Sequence, residues 1–247
     1  MQVLGIDIGG TGVKGAPVET DNGELLTDRF RLDTPDPATP EAVVNTVGEI
    51  VRFFNWEGPV GCGFPGVVKR GVVHTAANVD DSWVGYDLQQ GLERLTENPA
   101  CVVNDADAAG YAEMKFGAGN GRNGLVMMIT LGTGIGTAAF LNGELIPNWE
   151  LGHIEIKGKD AETRAAYIAR EREALSWKKW AKRVDTYLYT LEKLLNPDLF
   201  IIGGGVSKKW DKFVPRFQKT TVEIVPAEMR NEAGIIGAAV GACIVFE

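Results

Sequence analysis

The stretch Asp7-Ile8-Gly9-Gly10-Thr11-Gly12 and the later Leu131-Gly132-Thr133-Gly134-Ile135-Gly136 combine the residue types that phosphate binding uses. Glycines let backbone N–H groups approach phosphate oxygens with no Cβ in the way, and threonine adds a hydroxyl donor. Asp7, at the end of an apolar run, suits the hydration shell of Mg2+, a cation that favours hard oxygen ligands. A plain hairpin turn needs the glycines but not an Asp at that place. A third cluster, Gly203-Gly204-Gly205, ends another apolar run ahead of a helix-like segment, again a geometry that lets phosphate or nucleoside approach. Each cluster alone reads as structure. The three at equivalent strand ends favour a phosphoryl site.

Two further pairs carry polar chemistry. Asn104-Asp105 stands where the apolar Cys101-Val102-Val103 gives way to a helical pattern. Asp at that junction is first of all a helix N-cap. Its other reading is a general base that takes a proton from a hydroxyl attacking phosphorus, with Asn104 hydrogen-bonding the same substrate. Glu150 and His153 are close enough in sequence to converge on one ligand. A zinc site would need more ligands nearby, and no cysteine lies between Cys101 and Cys243. A lone histidine is more often a satisfied structural residue, but Glu150, Asn148 and Gly152 around it favour a sugar-binding pair.

These residues need a scaffold, and the hydrophobic pattern outlines one. Strands are predicted over 2–9, 13–19 and 24–32, with Asp21-Asn22-Gly23 as a hairpin turn. A helix runs from Pro40 to about Asn55, a strand covers 59–68, residues 75–86 are loop, and 101–103 form a buried strand before a helix over 106–116. A second cycle starts with a strand from Gly124 and a hairpin at Asn142-Gly143. One long helical stretch follows from about Asp160 to Leu195, then a strand over 199–205, a helix near 206–218, a strand over 221–227 and a small-residue helix over about 231–245. Both halves share one plan. The prediction is an α/β chain of two lobes around a cleft, a smaller one from residues 1–105 plus about 231–247 and a larger one from 106–230.

Composition narrows the setting. The chain has 247 residues, 45% of them apolar. No apolar run reaches the roughly 18 residues of a membrane span, and the N-terminus lacks the pattern of a signal peptide. Cys62, Cys101 and Cys243 are odd in number and lie in apolar surroundings, as reduced core residues of a cytoplasmic protein do. The net charge of −8 hides two basic segments, 157–183 with nine Lys or Arg against four Asp or Glu, and 208–219 with five against one. That argues against nucleic acid as a partner but permits a local polyanion site; a solvated helix face is the plainer reading.

The residues together resemble the ROK family of sugar kinases. DIGGTGVKG, FPGVV, NVDDSW, VVNDADAAGYAEMKFGAG, LGTGIG, ELGH and NPDLFIIGGGVS follow one another in the family's order, from residue 4 to about 240. The resemblance implies the actin-like ATPase fold, related to ribonuclease H, with duplicated halves. It implies transfer of a terminal phosphoryl group to a hexose 6-hydroxyl, with Mg2+, and a homodimer. Carried onto matching positions, it makes Asp105 the base and Asn78, Asn104, Glu150 and His153 sugar ligands. A further sugar-binding Glu falls on Glu171 or Glu173, with Glu173 preferred. The turns at Gly9, Gly10, Thr11 and at Gly132, Thr133, Gly134 become phosphate loops.

One departure is informative. Most of the family follows its Gly-His with a cysteine-rich zinc loop, and here IEIKGKDAETRAAYIARERE stands in its place, so no zinc is expected. The pattern is similar to the polyphosphate glucokinase branch, which accepts inorganic polyphosphate; Lys14 after the first turn and the stretch SWKKWAKRV fit that branch. A chain of phosphates gains from a chain of cations, as a nucleic-acid backbone does. Lys208, Lys209, Lys212 and Arg216, after Gly204-Gly205, are candidate donor contacts; Lys178, Lys179, Lys182 and Arg183 equally suit the outside of a helix. The predicted reaction makes glucose 6-phosphate, with mannose a second acceptor and ATP a second donor. The rivals are an ATP-dependent hexokinase of the same family and a sugar-sensing regulator, for whose DNA-binding region the first strand at residue 2 or 3 leaves no room.

Overall fold

The structure, a computed structural model, describes residues 1–76 and 79–246. It separates into two compact units, Met1–Ala112 with Glu232–Glu247, and Glu113–Asn231. In the first, β1 (Gln2–Gly9) and β2 (Gly12–Glu19) form an antiparallel hairpin in which Gly9 faces Gly12 and Gly10-Thr11 make the turn. The strand predicted over 24–32 is two strands, β3 (Glu24–Leu25) and β4 (Phe30–Leu32), both paired with β2. The ladder is interrupted at Ala16-Pro17, because proline has no N–H to donate; only its carbonyl is used, by Leu26 N at 2.9 Å.

Next comes α1 (Pro40–Phe53), started by Thr39, whose hydroxyl accepts from Ala42 N at 3.4 Å, with Pro40 in the first turn. Then follow β5 (Val60–Phe64), the small hairpin of β6 (Val68–Lys69) and β7 (Val72–Val73), α2 (Leu88–Thr96), β8 (Ala100–Asn104) and α3 (Asp105–Phe116). The sequence pattern gave no helix at α2, where Gly91 interrupts the propensity. That glycine is used in packing, since a Cβ there would lie 2.5 Å from the Tyr86 hydroxyl. The sheet order is β3-β2-β1-β5-β8 with β1, β5 and β8 parallel, over a core that includes Leu4, Ile6, Val47, Ile50, Phe64 and Trp83.

The second unit has its own sheet, in the order β11-β10-β9-β12-β13. Its strands are β9 (Leu125–Leu131), β10 (Ile135–Leu141), β11 (Glu144–Ile146), β12 (Leu199–Gly203) and β13 (Glu223–Pro226). Between β11 and β12 the single long helix predicted is three: α4 (Glu162–Ala165), α5 (Tyr167–Arg172) and α6 (Trp177–Leu195). No glycine or proline marks the first break. Trp180, fully buried, makes it: its indole N–H donates to the carbonyls of Ala165 at 3.0 Å and Ala166 at 3.2 Å, and Ala166 is extended with ψ 153°. Ser176 restarts the helix by accepting from Lys179 N at 3.3 Å. The helix predicted near 206–218 is a pair of 3-10 turns, Gly205–Lys212 and Val214–Arg216, with a kink at Lys209 and Pro215 in the second turn.

Finally α7 (Ala233–Phe246) rejoins the first unit and lies on β1 and β5. Gly5 and Gly61 allow this contact, because the carbonyls of Ile235 and Ala238 occupy the space a Cβ would need. Among the described residues no helix is long and apolar enough to cross a membrane. Cys62, Cys101 and Cys243 are buried and unbridged, and burial pushes the Cys101 thiol up to about 11.

Candidate functional site

The first glycine turn is held open from one side. Arg31, on β4, reaches across β2 and donates from Nη2 to the Thr11 carbonyl at 2.6 Å and from Nη1 to Asp33 at 2.8 Å. Gly12 makes room for that guanidinium, which lies 2.5 Å from where its Cβ would be. Thr34 donates to the Gly9 carbonyl at 2.6 Å. Gly10 is different: a Cβ there meets no protein atom within 4 Å, and its φ is not positive. Nothing in the fold requires glycine at position 10, which leaves its exposed backbone for a ligand. Asp7 pairs with Lys14 across the hairpin at 3.3 Å and packs against Gly234.

At the β8–α3 junction the structure corrects the assignment of the cap. Asn104, not Asp105, is the N-cap: its Oδ1 accepts from Ala106 N at 2.8 Å and Asp107 N at 3.1 Å, while its Nδ2 donates to the Gly66 carbonyl at 3.1 Å. Asn104 is therefore buried and fastened to the loop after β5. Asp105 becomes the first helical residue and is half-buried.

In the second unit the turn after β9 is clamped by residues of α4 and α5. Glu162, opening α4, accepts from Ile135 N at 2.7 Å and fills the space beside Gly134. Ile168 N, in α5, donates to the Gly132 carbonyl at 3.1 Å. Gly132, like Gly10, faces open space. Gly204, with φ +81°, lies with its Cβ position 2.5 Å from the Leu131 carbonyl, so the third cluster is packed beside this same turn and glycine is required there. Gly205 meets nothing. Thr11 and Thr133 are exposed, as are Lys208 and Lys209. Lys212 sits 5.7 Å from the centre of the Trp177 ring, a cation–π contact.

Glu150 and His153 flank a 3-10 turn that is fixed to the start of β10. Gly152 admits the Ile135 carbonyl, and Leu151 N donates to the Thr137 hydroxyl at 3.1 Å. His153 Nε2 is 3.9 Å from Glu150 Oε2, and its Nδ1 is 2.9 Å from Asp160 Oδ2. The hydrogen bond to Asp160 holds the His153 pKa above its ordinary value, and partial burial raises that of Glu150. Glu173 is engaged by Arg183 in a two-pronged pair at 3.0 and 2.6 Å, which lowers its pKa to about 2. Glu171 is exposed, and Asn78 lies outside the described residues.

Arg31, Asp160 and Glu162 were not among the residues singled out from the sequence. Arg31 is one charge in a short strand, and Asp160 and Glu162 are two among many in a densely charged segment, so their roles are readable only once β4 and α4 are placed. For Mg2+, Asp7 is the carboxylate available at the first turn; among the described residues no group of three or more His, Cys, Asp or Glu gathers as a metal site. One carboxylate fits an ion that takes its remaining oxygens from water and phosphate.

Two α/β units, each with its leading hairpin closed by a glycine turn, and a carboxylate on the first residue of a helix, define the class: the fold is that of the actin-like ATPases, two lobes of one plan. Residues 3–167 match the ROK family. A polyphosphate glucokinase of Mycobacterium tuberculosis is 51% identical over 96% of this chain and 89% of its own. An inorganic polyphosphate/ATP-glucomannokinase from Arthrobacter sp. strain KM superposes with a TM-score of 0.94 at 49% identity, covering 99% of each chain. A ROK family glucokinase from Streptomyces griseus, solved with glucose and AMPPNP, gives 0.84 at 26% identity over 99% of this chain and all of that one. The chain belongs to the ROK family.

Proposed function

We propose that this protein moves the terminal phosphoryl group of inorganic polyphosphate to the 6-hydroxyl of glucose, giving glucose 6-phosphate and a polyphosphate one unit shorter. The observation that carries the reading is the pair of glycine turns whose Gly10 and Gly132 meet no protein atom, in a chain half identical to a polyphosphate glucokinase. ATP serves as a second donor and mannose as a second acceptor, as the name of the Arthrobacter relative suggests.

Each unit contributes by itself. In the first, Asp105 removes the proton of the 6-hydroxyl as that oxygen forms its bond to phosphorus, and the bond from phosphorus to the bridging oxygen of the donor breaks. Asn104 sets the position of Asp105 through its bonds to the helix start and to Gly66, besides the sugar contact that the resemblance gives it, and Asn78 is a further sugar ligand on the same ground. The turns at Gly9–Thr11 and Gly132–Gly134, with Gly205 and Lys208, offer N–H and ammonium donors to phosphate oxygens. In the second unit Glu150 accepts from sugar hydroxyls. His153 donates from Nε2, its ring oriented by Asp160 where other members of the family are expected to hold zinc. Asp7 is the residue that would hold Mg2+, and the ion, when bound, would neutralise charge on the donor.

The enzyme works in the cytoplasm, for which three reduced, buried cysteines speak, and as a homodimer. The deciding experiment measures glucose 6-phosphate formation with nucleotide-free polyphosphate and with ATP. Product from both donors is expected, with the higher kcat/KM for polyphosphate; no product from polyphosphate overturns the donor assignment.

A further inference from the structure

The segment 154–175 does more than clamp the second turn. Against one face of α6 it encloses a cavity of about 300 Å³, lined on its charged side by Lys157, Arg164, Lys179, Lys182 and Arg183 and on its floor by Ile156, Ala161, Ala165 and Leu175. No carboxylate lines it. A second cavity of about 280 Å³ shares Arg164 and Arg183 with the first and adds Lys159 and Arg172, with Glu173 its one acid. The two adjoin at these shared arginines, and together their linings hold seven cations and a single carboxylate, in a chain whose net charge is −8.

Five of these cations, Lys157, Lys159, Arg164, Lys179 and Lys182, form no ion pair among the described residues. Arg183 and Arg172 are anchored, by Glu173 and by the Thr163 carbonyl at 2.7 Å, so the walls are set before anything binds. Like charges gathered on a concave surface repel one another and raise the local concentration of anions. Tyr187 adds to the lining a hydroxyl that is buried and has no hydrogen-bond partner among the described residues. A solvated helix face would spread its lysines over a convex surface; here Lys179 and Lys182 lie one turn apart and both look into the concavity.

We propose that the two cavities act as one channel and bind a run of linked phosphates. Resting on the reading of the protein as a polyphosphate-dependent kinase, the channel holds donor units remote from the one being transferred, so long chains gain affinity that short chains and ATP do not. The apolar floor accepts the methylene stems of the lysines and leaves their ammonium groups to the phosphates.

The test is a Lys179→Ala/Lys182→Ala variant of the full chain, with Lys182→Glu alone as a second. KM for polyphosphate of tens of units is expected to rise about tenfold and to become less dependent on salt, while kcat, KM for ATP and KM for tripolyphosphate stay within about twofold. Calorimetric titration without glucose should show long-chain polyphosphate binding about tenfold more weakly to the variant. An unchanged long-chain KM overturns the proposal, as does an equal loss with ATP, which would mark a structural role. Equal affinity of the wild type for a single-stranded oligonucleotide also overturns it. If free tripolyphosphate binds the channel and alters ATP-driven turnover in the wild type only, the ligand is a separate oligophosphate and not the donor's own tail. Should the wild type make no product from polyphosphate, the functional reading fails, and the titration alone decides the channel.

Discussion

The two glycine turns follow the same backbone plan and are braced by opposite charges. Arg31 steadies the first by donating to the Thr11 carbonyl, and Glu162 steadies the second by accepting from Ile135 N. Each brace comes from a following element, β4 in one case and α4 in the other, and each occupies space that a missing Cβ leaves, at Gly12 and Gly134. The lesson is that duplication kept the exposed backbone at Gly10 and Gly132 and left the support behind it free to differ. Asp105, the base of the proposed reaction, belongs to the first unit, while Glu150 and His153 belong to the second.

The largest effect tests that division of labour. Asp105→Asn should lower kcat by about a thousandfold with either donor and leave the melting temperature in place, read by coupled assay and calorimetry. An active variant would move the base elsewhere. Next, Glu162→Ala and Arg31→Ala should each weaken donor use by about tenfold to a hundredfold, the loss of one charge-assisted bond to the turn. A large loss from one and none from the other would show that the two turns do not share the load.

A smaller and sharper contrast lies among the glycines. Gly204→Ala should destabilise the fold by about 1–3 kcal/mol, because of its positive φ and the Leu131 backbone beside it. Gly132→Ala and Gly10→Ala should leave stability alone and raise the donor KM, since only a ligand needs that space. The smallest effect is in pH dependence. The His153–Asp160 charge pair is complete below the ordinary histidine pKa and is lost as pH rises through the raised one. In Asp160→Asn the His153 imidazolium should give up its proton at lower pH than in the wild type, seen in KM for glucose and by NMR of the imidazole.

The sequence made the turns, the strand-to-helix junction at 104–105 and the Glu150–His153 pair legible, because each is set by neighbouring residues. What it hid depends on partners brought in from far along the chain. Asn104 took the cap from Asp105 since its amide also reaches Gly66, 38 residues away. The break in the long helix rests on Trp180, whose indole claims two carbonyls 14 and 15 residues earlier, and no local propensity reports that. Arg31 and Glu162 gained their roles through strand register and helix placement. The charge count of 157–183 was plain, but its concave arrangement was not.

The return of α7 to β1 and β5 has a consequence for synthesis on the ribosome. The first strands to emerge wait for a helix made from residues 233–246, the last part of the described chain, whereas residues 113–231 contain everything their own core requires. The middle of the chain is thus free to fold while the protein is still being made, and the two ends close over Gly5 and Gly61 only afterwards.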